Sequence, residues 1–333
     1  MKILVAPLNW GLGHASRCVP LVRRFLDEGH EVILGGDGES LVLLRRHFPK
    51  LRYVYLAPLQ LKYGKGKRQV WAVVKMFPKL IVWSMKDHAL LKAVLKEERI
   101  DRVMSDNRFG LYGKKHSETE FVYLTHQLHV LLPKGWRWLE GMVERLHARV
   151  CAHYDKVWVP DYKEEERSLA GKLSHPNHLP FGHLPFTIEY IGPLSRFERY
   201  RDVRNANEMR TRMTAKDSGG YAVVAVLSGL EPQRTLLEQE IVRRYAGKEE
   251  QVLIVQGLMN KPNTRIKRGN ITLVPYLEDE SLAEVLLSAK HIIARSGYST
   301  IMDLEALGLL EKAELIPTPG QPEQEYLCKF LKK

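Results

Sequence analysis

The chain has 333 residues, of which 44% are hydrophobic and 27% are charged, and its formal net charge is +12. This length suits two domains, and this composition excludes an intrinsically disordered chain. The three cysteines are far apart in the sequence, which predicts free thiols rather than a disulfide framework or a metal site. The apolar segments are too short for a signal peptide or a membrane-spanning helix, so we expect a cytoplasmic protein.

Short β-branched apolar segments alternate with longer amphipathic segments, which is typical of parallel sheets with crossover helices. The predicted strands comprise residues 3–6, 31–34, 52–56, 102–105, 121–125 and 156–159, and then 222–227, 252–255, 271–274, 291–294 and 313–316. Between these two series, an Arg-rich stretch at 197–220 predicts a connection and a solvated helix. The pattern predicts the α/β class, with two Rossmann-like domains at 1–196 and 197–333 that face a cleft.

The loop after the first predicted strand reads GLGHASR and opens a helix. Gly11 and Gly13 allow a ligand to approach backbone N–H groups at the helix start. His14 lies at the carboxyl edge of the sheet, where a neutral imidazole can take a proton from a sugar hydroxyl. As an alternative, the same loop followed by Asp37 would suit an enzyme that binds NAD.

The segment RSGYSTIMDLEALG, after the strand at 291–294, combines a tight turn with a helix start. Ser296 and Gly297 leave room for a phosphate, which the first-turn N–H groups and the hydroxyls of Ser299 and Thr300 can bind. Asp303, further along the helix, can accept hydrogen bonds from two ribose hydroxyls. This segment therefore predicts a nucleotide site, although a capped helix with a solvated Asp303 would have the same pattern.

Two further loops of the second half have related patterns. LSGLEPQR places Ser228 and Gly229 at a turn and Arg234 in the following helix, and PTPGQPEQEYL places Glu323 and Gln324 at a helix start. Carboxylate and amide groups suit the hydroxyls of a sugar ring. Since the carboxyl ends of parallel strands meet at one edge of a sheet, we expect these loops to converge on the same place as the predicted nucleotide site.

Together these motifs resemble those of GT-B fold glycosyltransferases, particularly the MurG-type N-acetylglucosaminyltransferases. The resemblance implies that His14 is the base or positions the acceptor, that Ser299 and Thr300 lie near phosphate, and that Asp303 takes the ribose position, where Glu is usual. It also implies that Gln324 contacts the donor sugar, that Ser228–Gly229 matches a phosphate loop, and that the backbone at Tyr276 and Leu277 reads the base. Inversion at the anomeric carbon is implied in the same way.

Residues 62–92 combine Lys and Arg with apolar residues at helical spacing. This pattern predicts an amphipathic helix, kinked at Pro78, that binds an anionic membrane surface; a core helix with a solvated basic face is the alternative. Basic and aromatic residues also suit single-stranded nucleic acid. We favour a lipid-linked or anionic acceptor at the inner membrane face, and no nucleic acid, because these residues lie in the domain predicted to hold the acceptor.

The sequence thus predicts transfer of a hexose or N-acetylhexosamine from a nucleoside diphosphate sugar, with uridine as the expected base, to a lipid-linked or glycan hydroxyl. His14 is the expected base, with Asp106 as a second candidate. No acidic pair of the kind that binds a metal follows a strand, so we expect no metal and no cofactor, with the leaving group stabilised by fixed dipoles and arginine. A nucleotide-sugar 2-epimerase and a non-catalytic nucleotide-sugar-binding or membrane-docking protein, shortened at its end, are the alternatives.

Overall fold

The computed structural model describes residues 1–59, 69–176, 186–200, 220–229 and 231–332, with the backbone alone for 69–77. Two sheets are present, and each is covered by helices. Most of the predicted connection at 197–220 lies outside the described residues. The domain boundary predicted at 196 and 197 falls between the two sheets and stays a prediction.

The first sheet is entirely parallel, in the order β3-β2-β1-β4-β5-β6-β7. Its strands are β1 (Lys2–Pro7), β2 (Glu31–Gly36), β3 (Tyr53–Tyr55), β4 (Arg102–Asp106), β5 (Glu120–Leu124), β6 (Lys156–Val159) and β7 (Thr187–Tyr190). Its helices are α1 (Gly13–Asp27), α2 (Gly38–His47), α3 (Gln69–Glu97) and α4 (Glu140–Cys151).

The second sheet has the order β10-β11-β9-β8-β12-β13 and is parallel except for the antiparallel edge strand β10. Its strands are β8 (Val223–Val226), β9 (Val252–Val255), β10 (Ile266–Arg268), β11 (Ile271–Val274), β12 (His291–Arg295) and β13 (Ala313–Ile316). Its helices are α5 (Gln233–Tyr245), α6 (Asp279–Ser288), α7 (Tyr298–Ala306) and α8 (Pro322–Phe330).

Both sheets have a topological switch point, the place where the strand order reverses and ligands of open α/β sheets bind. In the first sheet it lies between β1 and β4, and in the second between β8 and β12. Strands β1, β4, β9 and β11 are almost wholly buried, as expected for parallel strands with both faces covered. The predicted α/β class is therefore confirmed, and the loops after β1, β4, β8 and β12 become the candidate site.

Helix α3 covers residues 69–92 of the predicted amphipathic segment and continues through Pro78. Residues 62–68 of that segment, and the side chains of 69–77, lie outside the described residues. In the described part, Trp83, Asp87 and Leu91 are buried, whereas Ile81, Val82 and Met85 are at least half exposed. Across the described ranges, no helix combines the length and apolar character needed to cross a membrane.

Candidate functional site

His14 and Asp106 meet at the switch point of the first sheet. His14 lies in the first turn of α1, and Asp106 ends β4, where it is paired in register with Pro7 of β1. His14 Nδ1 lies 2.9 Å from Asp106 Oδ1. The same Nδ1 lies 3.0 Å from Arg17 Nη2, which can only donate; in the tautomer in which Nδ1–H donates to Asp106, Nε2 keeps its lone pair. An imidazole with a free Nε2 lone pair can act as a general base.

Arg17, one turn further along α1, neutralises Asp106. Its Nε donates to Asp106 Oδ2 at 2.7 Å, and its Nη2 contacts Oδ1. Burial acts to raise the pKa of Asp106, but Arg17 and His14 outweigh burial and hold that pKa well below its usual range. Because Asp106 is fully buried, with both oxygens occupied, the geometry suits it to orient His14 rather than to take the proton itself.

His126, which follows β5, is a site residue that the sequence analysis did not assign. Its Nε2 lies 2.8 Å from Glu323 Oε1, at the start of α8, and its Nδ1 lies 3.0 Å from Arg17 Nη1. Its ring stacks on Tyr298, the first residue of α7, with 4.2 Å between centroids. The only sequence signal was its position, since it follows a strand end as His14 does.

The loops before α7 and α8 converge, as the sequence predicted. Ser296 Oγ donates to the Gln324 carbonyl at 2.9 Å, and the Thr318 N–H donates to Gln324 Oε1 at 2.8 Å. A Cβ added at Gly297 would lie 4.0 Å from Gln324 Nε2. The amide group of Gln324 therefore lies beside the start of α7, where Ser299 and Thr300 occupy the first helical turn.

Gly13 brings the start of α1 into contact with the start of α7. Ser299 Oγ donates to the Gly13 carbonyl at 2.8 Å, and a Cβ at Gly13 would lie only 2.8 Å from that oxygen. A side chain at position 13 would therefore displace the Ser299 hydroxyl from this contact between the two halves of the molecule. A phosphate bound by the Ser299 hydroxyl would have to replace the Gly13 carbonyl. Gly11, with φ +77°, shapes the preceding turn and has open space around it.

Asp303 has other partners than the sequence analysis expected. Ser195 Oγ donates to its Oδ1 at 2.7 Å, and Arg196 Nε donates to its Oδ2 at 3.1 Å. Burial raises the pKa of Asp303, although Arg196 and Ser195 act in the opposite direction. Neither the solvated carboxylate of the alternative nor an exposed ribose acceptor is present, because Asp303 is buried and each of its oxygens already accepts a hydrogen bond.

The loop after β8 is open at Gly229, where φ is +96° and an added Cβ would contact nothing within 4 Å. Ser228 precedes it. Arg234 is less available than the sequence suggested, since its guanidinium contacts both Glu231 and Glu238. A phosphate would have to compete with these carboxylates for the Arg234 guanidinium.

The segment after β11 also makes contact with the first half of the molecule. The guanidinium of Arg46, in α2, lies 4.2 Å above the Tyr276 ring, and Leu277 packs against the hydrophobic core. A role of this segment in base recognition would rest on its backbone groups, as the resemblance implies.

A second unassigned residue, Arg295, ends β12 near the starts of α5 and α8. Its Nη1 donates to the Pro317 carbonyl at 3.0 Å and its Nη2 to the Gln233 carbonyl at 2.8 Å. Its side chain thus connects the start of α5, the end of β12 and the loop before α8. Burial lowers the pKa of Arg295, and Nε is buried without a hydrogen-bond partner among the described residues.

The structure argues against the NAD-binding alternative. Asp37, the proposed ribose acid, is buried; its Oδ1 accepts from Arg108 Nη1 at 2.8 Å and its Oδ2 from Asn9 Nδ2 at 3.0 Å. These bonds connect Asp37 to Asn9, in the loop after β1, and to Arg108, in the loop after β4. Within the described ranges, no group of three His, Cys, Asp or Glu side chains could hold a metal ion.

No known protein-family model matches this chain. An uncharacterized glycosyltransferase of Methanosarcina mazei is 27% identical over 93% of this chain and 78% of its own length. The spinosyn rhamnosyltransferase SpnG superposes with a TM-score of 0.55 and 15% identity, over 98% of this chain and 84% of its own. The chain has the GT-B fold. The relatives' names support the glycosyltransferase class.

The fold is shared with another chemistry. A putative UDP-N-acetylglucosamine 2-epimerase from Listeria monocytogenes superposes with a TM-score of 0.50 and 14% identity, over 100% of this chain and 88% of its own. A GT-B fold therefore does not by itself separate transfer from epimerisation. The site residues must carry that distinction.

Proposed function

We propose that this chain transfers a hexose or N-acetylhexosamine from a nucleoside diphosphate sugar, with uridine as the base, to a hydroxyl of a lipid-linked or glycan acceptor, without a metal. The observation that carries the proposal is the oriented His14–Asp106 pair, which lies at one switch point beside the start of α7. The MurG-type subgroup is part of the same proposal.

The reaction follows from the roles of these groups. His14 Nε2 takes the proton of the acceptor hydroxyl as its oxygen forms a bond to the anomeric carbon of the donor. The bond between that carbon and the phosphate oxygen breaks, and the nucleoside diphosphate leaves with the electron pair. The N–H groups at the start of α7, with the hydroxyls of Ser299 and Thr300, would stabilise the charge on the diphosphate.

The donor is assigned to the second half of the molecule. Gln324, whose Nε2 lies beside Gly297, would contact the sugar, and Ser228, Gly229 and Ser296 would line the diphosphate site. In this proposal Glu323 and Arg234 act through other residues. Glu323 is hydrogen-bonded to His126, and Arg234 forms ion pairs with two glutamates. Asp303 would bind the ribose after exchanging Ser195 and Arg196 for the two ribose hydroxyls.

The proposal is tested by incubating the protein with UDP-, GDP- and dTDP-sugars, with and without lipid-linked and oligosaccharide acceptors. We expect nucleoside diphosphate release with a UDP-sugar, accelerated by one class of acceptor. Recovery of an epimeric UDP-sugar without UDP release would establish the epimerase alternative instead. Binding of UDP without turnover of any donor would favour the non-catalytic alternative.

We also propose that the exposed face of α3 docks on an anionic membrane. Ile81, Val82 and Met85 lie on this face with the exposed Lys79 and Lys86. Apolar side chains that enter the interface, flanked by lysines that attract anionic headgroups, are typical of interfacial helices. This surface would bring the first half of the molecule to a lipid-linked acceptor.

A further inference from the structure

His126 is buried between the two halves of the molecule, with 4% of its surface exposed. It contacts each half through a different ring nitrogen. Nδ1 faces Arg17 in α1, and Nε2 faces Glu323 in α8. The stacking on Tyr298 fixes the plane of the ring, so both nitrogens are held toward their partners.

The partners determine the tautomer of His126. A guanidinium can only donate, so Nδ1 must accept from Arg17, and the ring proton is therefore on Nε2, which donates to Glu323. Burial lowers the pKa of His126 although Glu323 acts to raise it, which keeps the ring neutral and Nδ1 free to accept. Burial acts to raise the pKa of Glu323, but His126, His14 and Arg17 together outweigh it and the net pKa is lowered, so the carboxylate is charged and the hydrogen bond is strong.

The contacts of His126 also connect it to His14, the proposed base. Arg17 is the residue that donates to both oxygens of Asp106, and Asp106 orients His14. A continuous series of contacts thus runs from α8 through His126, Arg17 and Asp106 to His14. Without an acceptor at Nδ1 of His126, Arg17 Nη1 would lose a buried partner and its orientation against Asp106 would be less restricted.

We propose that His126 is a positioning residue that links α8 of the donor-binding half to the His14–Asp106 pair, with Nε2–H holding Glu323 and Nδ1 fixing Arg17. The role as a link to catalysis rests on the proposed function. The contacts themselves do not, so the two can be tested separately.

Two substitutions separate the two bonds. In His126→Asn the side-chain amide can take the place of Nδ1 and accept from Arg17, but it is too short to reach Glu323. In His126→Gln the amide can take the place of Nε2 and donate to Glu323, but no acceptor remains near Arg17. The thermal unfolding midpoint of each variant shows whether it folds, and the comparison is made between folded variants.

The first measurement uses the unliganded protein. An imidazole Nδ1–H that donates to a carboxylate gives a downfield proton signal, which is assigned to His14 by its loss in His14→Ala. We expect this signal to persist in His126→Asn and to broaden through faster exchange with solvent in His126→Gln. Retention in both variants, or loss in both, would overturn the proposal, whatever the protein catalyses.

The second measurement is kinetic. We expect His126→Gln to lower kcat roughly tenfold to hundredfold with little change in the donor KM, and His126→Asn mainly to raise the donor KM, roughly tenfold. Glu323→Ala should match His126→Asn, and combining these two substitutions should add little, because both remove the same bond. Equal changes of kcat and KM in both His126 variants would make His126 a merely structural residue. If the wild type turns over no donor, the proposed function is wrong. The proton signal of His14 still tests whether His126 positions Arg17 and the His14–Asp106 pair.

Discussion

At the scale of single residues, the proposed base gives the most direct prediction. Replacing His14 by Ala removes the proton acceptor, and we expect turnover to fall by roughly two to four orders of magnitude with little change in UDP affinity. His116, whose side chain is 88% exposed, provides the control, since His116→Ala should leave both quantities unchanged. Turnover is measured as UDP release, and near-normal turnover in His14→Ala would rule out its role as the base.

Another histidine, His147 in α4, predicts an acid sensitivity of the fold. Burial lowers the pKa of His147 from 6.5 to about 4. Between these values the unfolded chain binds the proton and the folded chain does not. The free energy of unfolding must therefore fall as the pH falls through this window, by up to roughly 1.4 kcal/mol per pH unit from this residue.

We expect His147→Gln to reduce the dependence of the unfolding free energy on pH between 6.5 and 4, relative to the wild type. Urea unfolding at several pH values measures it, and His116→Gln is the matched control at an exposed site. His126, whose pKa burial also lowers, contributes to the wild-type slope in the same direction, so the difference between variants is the quantity that counts. An unchanged slope in His147→Gln would contradict the burial effect.

At the scale of elements, the strands were predictable because each buried strand has a local apolar signal. All the strands predicted from the sequence are present, with ends that differ by two residues at most. The two that were missed, β7 and β10, are edge strands, and β10 has only three residues, all exposed. An edge strand buries little, so its sequence need not be apolar.

The convergence of the loops before α7 and α8 was predictable because the carboxyl ends of neighbouring parallel strands lie at the same edge of the sheet. Their partners in the other half of the molecule were not. The bond from His126 to Glu323 joins residues 197 positions apart, and the bond from Ser195 to Asp303 joins residues 108 positions apart. Such pairs leave no local pattern in the sequence, because they depend on how the two sheets are placed relative to each other.

Asp303, in the second turn of α7, provides the prediction at this scale. Asp303→Asn replaces an acceptor oxygen by a donor that faces Ser195 or Arg196, so we expect the unfolding free energy to fall by about 1–3 kcal/mol. If the ribose takes these positions, UDP affinity should also fall about tenfold to hundredfold, while Asp303→Glu retains binding. Calorimetric titration with UDP, without added metal, measures the affinity.

Ser195→Ala separates the two roles of Asp303. This substitution removes the hydroxyl that would compete with a ribose hydroxyl for Oδ1, so UDP affinity should be retained or increased even as the unliganded protein loses stability. Asp303→Asn with lower stability and unchanged UDP affinity would make Asp303 a residue that only holds residues 195 and 196 in place. The ribose site would then have to lie elsewhere.

At the scale of the whole molecule, the net charge of +12 and the apolar face of α3 predict electrostatic binding to membranes. Each lysine near an anionic surface contributes about 1 kcal/mol, and salt screens this attraction. We expect the protein to sediment with anionic vesicles at low salt and to be released at high salt. Replacing Ile81 and Met85 by Ser should weaken this binding, because both side chains are at least half exposed beside Lys79 and Lys86.

Ile266→Ser is the matched control, since Ile266 is similarly exposed on β10 of the other sheet. Equal binding to neutral and anionic vesicles would contradict the electrostatic part of the proposal, and equal effects of the α3 and β10 substitutions would contradict the assignment of the surface to α3.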